Sequence, residues 1–369
     1  MASKLLFHND GRVGREGAAA MSRMNMIAID THCEFCEGGY VNRLGKEKGC
    51  FKVPTGIPAL VEQIEKVPRP RKLVIEEGPL ADWLWRSLSP HVDEMIVCDP
   101  HRNALIAKGG EKSDAIDWRK LAELCHGGYV RAVYHPQTLE RSVLRQHVQL
   151  YHERVSRRVS EGHKIIWRAR GLGVVVRHKD LIDPLLRKRM LGQLPSDQTV
   201  QQDMLLLLEG FDLLAEQVKK LRSRLIELSK KEPMIKRFCQ VKGIKHVRAA
   251  TFFAIVDTPF RFKTKQKLWK YLGIGLEKRQ SGKGHVRLSV PRRCNRILKS
   301  VILGAAKSAI ASGNNVFADQ HERWLDADCS PRIARRNVAR SQATSMWGMW
   351  KSGSEFDEQL ICRQTAALT

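Results

Sequence analysis

Three short apolar runs, each followed by an acid, constrain this chain most: Met26-Ile27-Ala28-Ile29 before Asp30, Leu73-Val74-Ile75 before Glu76, and Met95-Ile96-Val97-Cys98 before Asp99. Each is too short for a helix and apolar at every position, which predicts a buried strand. Between them, Ile57, Leu60, Val61 and Ile64 recur at helical spacing, 81–90 reads as a short helix, and Ile116, Leu121 and Leu124 mark a third helix. Segments 38–45 and 49–54 predict meander strands. Strands alternating with helices predict an α/β domain with a mixed sheet over 23–135, preceded by a flexible basic tail, 1–22.

After His135-Pro136 the period changes. Leu144, Val148, Tyr151, Val155 and Val159 recur at spacings of four and three, and Leu207, Phe211, Leu214, Val218, Leu221, Leu225 and Leu228 do so over three heptads. Such stripes predict long helices, read as a helical coiled-coil spacer over 136–235; a local hairpin and a coiled coil between chains both satisfy the pattern. The Gly and Pro of 191–199 break the helices apart. A mainly α C-terminal domain follows over 236–325, opening on a tight turn at Gly243 that feeds a helix. Residues 326–369 mix Arg, Ser and Trp and form an extension without a readable pattern.

The charge balance selects the partner. Lys and Arg number 64 against 39 Asp and Glu, a net charge of +25. Such an excess invites a polyanion, so nucleic acid is the expected partner. No apolar window approaches the roughly 18 residues of a membrane span, and no secretory leader is evident, so no membrane partner is expected. The nine cysteines fit reduced thiols in a cytoplasm. Cys33 and Cys36, with His32 and Cys50 nearby, are too few for a convincing zinc site.

Asp30 and Glu76 end buried strands, and Asp114 and Asp117 lie three apart on one helix face. Four acids so placed suit a two-metal phosphoryl-transfer site, with hard oxygens for Mg²⁺ or Mn²⁺. On spacing alone, Asp30 equally fits a turn at a strand end and Asp114 a helix N-cap. In the C-terminal part, residues 261–300 carry thirteen Lys or Arg and one acid, Glu277. Trp269 and Tyr271 among them fit either base stacking or a small core. The Gly243 turn at a helix start offers backbone N–H groups to a phosphate, or serves only as a connector. Ser281, in a Gly-flanked loop with Lys278, Arg279, Lys283, His285 and Arg287, suits a nucleophile ringed by cations, and equally a plain turn.

These residues resemble a known family. The stretches MIAIDTH, LVIEEGPLADWLW and VCDPHRNALIAKGGEKSDAIDWRKLAELC are similar to the N-terminal domain of the IS-one-ten transposases, the group that includes the Piv and MooV DNA invertases. The resemblance implies a RuvC-like ribonuclease-H fold whose DEDD tetrad is Asp30, Glu76, Asp114 and Asp117, with Lys112 as the lysine of the last motif. Glu77 stands where the family has a small residue; Glu76 is preferred because it follows the apolar run and keeps the spacing to Gly78 and Pro79.

The run from Val241 to about Ala306 is similar to the family's second domain, through Gly243-Ile244, Phe262 to Gly273, Ser281-Gly282 and Asn295 to Lys299. Lys245 and Lys283 replace glycines of that pattern. The resemblance implies a helix-hairpin-helix-like element and makes Ser281 the nucleophile that joins DNA covalently, Ser289 being the other serine at hand. Gly243, Lys278, Arg279, Lys283, Arg287, Arg292, Arg293 and Arg296, with Lys112, are the nucleic-acid-binding residues it points to.

The resemblance covers roughly residues 24–310 and implies a mobile-element recombinase that moves DNA without flanking duplications. Its implied partners are donor and target DNA and a structured guide (bridge) RNA. Its implied assembly is a homo-oligomer, dimer or tetramer, with composite active sites. Two other readings fit the residues: a structure-selective nuclease such as a junction resolvase, with water as nucleophile, and an inactive nucleic-acid-binding remnant.

Overall fold

A computed structural model describes residues 24–100, 114–279 and 287–361, with the backbone alone at 114–116, 278, 279 and 287. The chain divides into two compact units, 1–142 and 143–369.

The first unit is built on β1 (Asn25–Thr31), β2 (Phe35–Val41), β3 (Glu47–Pro54), α1 (Ile57–Glu65), β4 (Arg71–Glu76), α2 (Ala81–Leu88), β5 (Glu94–Cys98) and α3 (Asp114–His126). The three apolar runs are β1, β4 and β5 of one mixed sheet in the order β3-β2-β1-β4-β5, with β1 at its centre and β5 at its edge. β1, β4 and β5 are parallel; β2 and β3 form the antiparallel meander. The first meander strand starts and ends earlier than the sequence suggested. Asn42 closes a turn by accepting from the amides of Leu44 and Lys46 at 3.0 and 2.9 Å, which removes 42–46 from the strand.

Alternation along these strands builds two cores. Ile27, Ile29, Leu73, Ile75 and Val97 pack with Leu60 and Ile64 of α1 and Leu84 and Leu88 of α2. Met26, Ala28, Val74 and Cys98 pack with Trp118, Leu121, Ala122 and Cys125 of α3. Because both faces are covered, the strands are apolar without interruption. Gly39 of β2 lets α3 lie close, since a Cβ there would overlap the Trp118 ring. Burial pushes the Cys125 thiol up to about 12, so it stays protonated and inert.

The second unit contains most of α4 (Leu139–Gly171), then α5 (Pro184–Gln193) and α6 (Gln198–Lys231). Asp183 and Asp197 cap α5 and α6, accepting from backbone amides one turn on. The heptad stripe is used within the chain: Phe211, Val218 and Leu225 of α6 are buried, and Met204, Leu208 and Phe211 pack with Ile165 and Ala169 of α4 and Met190 of α5. Thus α4 and α6 pair as a local hairpin.

Beyond it lie α7 (Pro233–Phe238), α8 (His246–Val256), α9 (Lys265–Tyr271), the hairpin strands β6 (Glu277–Arg279) and β7 (Arg287–Ser289), α10 (Arg296–Ser312), α11 (Val316–Asp326) and α12 (Pro331–Ser352). From Ala249 to Val256, α8 is buried on every side, and α6, α7 and α10 pack against it. Phe238, Phe252 and Phe253 surround Trp350 of α12, with ring centroids 5.5, 6.4 and 4.9 Å away. The extension that carried no pattern in the sequence therefore completes this core. The expectations for 1–22 lie outside the described residues.

Candidate functional site

Strand register determines where the acids stand. Ile29 of β1 pairs with Ile75 of β4, and Asp30 and Glu76 are the next residues on these parallel neighbours. Adjacent strands run about 4.8 Å apart, so the two backbones leave the sheet side by side. By alternation Asp30 shares a face with Met26 and Ala28, and Glu76 with Val74, the face covered by α3.

The helix brings the other two acids to the same end. Trp118 lies over Gly39, the partner of Ala28, while His126 approaches Gly45, beyond the Met26–Val41 pair. Helix α3 therefore runs antiparallel to β1, and its first turn, with Asp114 and Asp117, lies toward the strand end that carries Asp30 and Glu76. The helix is anchored by Arg119, whose Nε and Nη2 donate to the Glu47 carboxylate of β3 at 2.9 and 3.0 Å. That fork holds Glu47 below, and Arg119 above, its ordinary range. Asp117 is exposed at the surface. The side chain of Asp114, and Lys112 altogether, lie outside the described residues.

Asp30 keeps its carboxylate partly accessible, 25% of the side chain, with Oδ2 3.1 Å from His32 Nε2. Among the described residues no group of three or more His, Cys, Asp or Glu is close enough to hold a metal ion. Cys33 and Cys50 are exposed, whereas Cys36 is buried with Sγ 3.3 Å from Thr55 Oγ1. What the backbone supplies is the Asp30 and Glu76 positions at adjacent strand ends, with the first turn of α3 toward the same end of the sheet.

Next door, the structure reveals a polar cluster that sequence reading passed over. Glu77 takes no place beside Glu76: its Oε2 lies 2.6 Å from Nε2 of buried His135. The other ring nitrogen of His135 is 3.5 Å from Asp82 Oδ1 on α2. Asp82 also accepts from Ser142 Oγ, and from Arg86 at 2.5 Å. Burial raises the Asp82 pKa, but the hydrogen bonds from Ser142, Arg86 and His135 outweigh it and hold the carboxyl below its usual range. Since α2 covers the sheet face opposite α3, the adjacent glutamates serve opposite sides. The signal was available in the strand period: one residue beyond Glu76 reverses the face.

In the helical unit Gly243 has φ +83°, and a Cβ there would overlap the Ala305 carbonyl oxygen of α10. The turn between α7 and α8 thus requires glycine for its conformation and for the close helix approach. Its carbonyl accepts from Arg248 Nη1 at 2.6 Å, and the same nitrogen donates to Ser308 Oγ at 3.0 Å. Lys245, the N-cap of α8, makes no side-chain cap. Arg292, Arg293 and Arg296 are exposed before and at the start of α10, which Asn295 caps by accepting from Leu298 N at 2.9 Å.

Trp269 and Tyr271 belong to the core periphery. Trp269 Nε1 donates to Thr344 Oγ1 at 3.0 Å, and Tyr271 lies 4.5 Å from the Arg261 guanidinium. Lys278, Arg279 and Arg287 are placed by backbone register alone, Lys278 opposite Leu288 and Arg279 opposite Arg287. Ser281 and Lys283, in the connection between β6 and β7, lie outside the described residues. Ser289 closes β7, and its enclosed Oγ has no hydrogen-bond partner among the described residues.

Residues 235–322 match the family described as Transposase IS116/IS110/IS902. The matched stretch is about a quarter of the chain, runs from α7 into α11, and includes none of the four carboxylates. It supports a DNA transposase of the IS110 type. No curated protein matches the chain. Among the described residues no helix is long and apolar enough to cross a membrane.

Proposed function

We propose that this protein is the transposase of an insertion sequence, a DNA recombinase that cuts and rejoins strands with carboxylate-held divalent metal and a serine nucleophile. The class rests on the match of 235–322 to the Transposase IS116/IS110/IS902 family. The observation that carries the chemistry is the Ile29–Ile75 register, which sets Asp30 and Glu76 side by side on the face where α3 begins. A mixed sheet with acids at adjacent strand ends supports a RuvC-like first unit.

In this reading Asp30, Glu76, Asp114 and Asp117 hold Mg²⁺ or Mn²⁺. The bound metal supplies charge neutralisation at the scissile phosphate. Ser281 Oγ forms a bond to phosphorus as the strand's own P–O bond breaks; the hydroxyl proton passes to solvent and the leaving strand oxygen is protonated. Lys112, Lys278, Arg279, Lys283 and Arg287 offset the charge that develops on the phosphoryl oxygens. The Gly243 turn with Arg292, Arg293 and Arg296 contacts the phosphate backbone and fixes position without reading bases. A structured guide RNA selects donor and target by base pairing. Two or more subunits build composite sites, and the protein works in the bacterial cytoplasm at the nucleoid.

The test uses purified full-length protein, the element's guide RNA and labelled DNA carrying the element's junction. Asp30→Asn is expected to reduce metal-dependent strand cleavage by about a thousandfold or more. Ser281→Ala is expected to abolish the covalent protein–DNA adduct. Cleavage that persists in Ser281→Ala without an adduct identifies a water-using nuclease instead. No cleavage by the unaltered protein, in Mg²⁺ or Mn²⁺, identifies a binding remnant.

A further inference from the structure

Outside the matched stretch, α12 carries Arg332, Arg336 and Arg340 at successive spacings of four, a row on one helix face with steps of about 6 Å. Arg332 is exposed, and Arg336 and Arg340 are partly buried. Like charges at this spacing repel, and helices normally interleave acids between them. Here no carboxylate among the described residues lies within 4.0 Å of any of the three, and the neighbours that perturb Arg336 and Arg340 are themselves arginines. Burial first, and then the adjacent arginine, hold both guanidinium groups below their ordinary range.

The last arginine is held in place by neutral partners. Arg340 Nε donates to the Ile274 carbonyl at 2.8 Å and Nη1 to Asn337 Oδ1 at 2.9 Å. Its guanidinium lies 5.5 Å from the centre of the Trp269 ring, and Lys265 Nζ lies 5.7 Å from the same ring. Trp269 thus joins the arginine row to α9 and its exposed Lys265, so two elements present one cationic surface, while Lys270 of α9 is paired with Glu277 at 2.9 Å.

We propose that the Arg332–Arg336–Arg340 row of α12 is a binding track for the phosphodiester backbone of a nucleic acid, extending that surface beyond the family-matched stretch. The inference rests on the transposase reading for the identity of its polyanion. Anchoring at Arg340 pre-orders the row, and Arg332 and Arg336 make the contacts. Backbone phosphates then neutralise charges that the fold leaves uncompensated.

The test is the salt dependence of binding by the full-length protein, measured by anisotropy with a labelled DNA duplex and a labelled single-stranded RNA of unrelated sequence. For the Arg332→Gln/Arg336→Gln double variant, the slope of log affinity against log salt should fall by about 1.8 on duplex DNA or about 1.4 on single-stranded RNA. A fall on one probe alone identifies DNA or RNA as the source of the phosphates. Arg336→Lys, which keeps the charge, should retain the slope. The free double variant should melt no lower than the unaltered protein, since repulsion is relieved. Unchanged slopes on both probes overturn the proposal, as does an equal fall in Lys219→Gln/Arg222→Gln on α6. Loss of strand cleavage is scored separately, so failure of the transposase reading leaves this binding result standing.

Discussion

The two units place charge in opposite ways. In the sheet unit a few acids sit at defined strand ends, and the two-residue period assigns each to a face: Glu76 shares the α3 face with Asp30, while Glu77, one step on, is taken by His135 on the α2 side. In the helical unit the core is two apolar clusters, one between α4, α5 and α6 and one around α8, and basic residues spread over helix surfaces and in rows such as that on α12. The difference teaches where specificity lies. In the sheet a single-residue step moves a carboxylate from one face to the other, as Glu76 and Glu77 do. In the helical part the strict constraint is packing: at Gly243 a close backbone contact leaves no room for a side chain.

Gly243→Ala tests the last point and has the largest expected effect on stability. A non-glycine residue at φ +83° is strained, and its Cβ meets the Ala305 carbonyl, part of a helix backbone that cannot swing aside. The expected loss is about 3 kcal/mol or more, with a melting midpoint lower by roughly 6–12 °C. A variant that melts with the unaltered protein would show that the α7–α8 turn is not packed against α10 as described.

A smaller effect separates the units by pH. His152 on α4 is half-buried, with Nε2 2.9 Å from Thr251 Oγ1, and that hydroxyl donates to the Val247 carbonyl at 2.7 Å. The ring is therefore the donor in its neutral form, and burial lowers its pKa to about 4 from 6.5. The depressed value means the unfolded chain binds the proton first. Stability is unaffected above pH 6.5, declines as pH falls toward 4, and then levels, a loss on the order of 2–3 kcal/mol in the helical unit. His152→Gln should remove this part of the acid sensitivity, read as unfolding midpoints between pH 7 and 4. An unaltered pH profile in that variant would remove His152 as its source.

Much of the sheet unit was legible because its signals are local: apolar runs for β1, β4 and β5, and helical spacing for α1 and α3. The ends of the first meander strand were not, since the Asn42 turn is decided by side-chain acceptance from two amides. The heptads predicted long helices, and tertiary packing decided that α6 spends Phe211, Val218 and Leu225 on its own chain. The last helix was illegible because its buried positions, Ala334, Val338, Ala339, Ala343, Met346 and Met349, include small residues that carry little hydrophobic signal. Gln342, fully buried among them, donates to the Lys242 carbonyl at 2.8 Å, a partner exactly one hundred positions away that no window reveals. At the site, the positions of Asp30 and Glu76 followed from the apolar runs, while the assignment of Glu77 to His135 and Asp82 needed three-dimensional contacts.

The most direct test of the central account is Mn²⁺ binding to the full-length protein, followed by electron paramagnetic resonance in the absence of nucleic acid. Glu76→Gln and Asp30→Asn should each weaken Mn²⁺ binding at least about tenfold, and Glu77→Gln should leave it within about twofold of the unaltered protein. Binding that survives in Glu76→Gln and is lost in Glu77→Gln would contradict the assignment of faces on which the site depends.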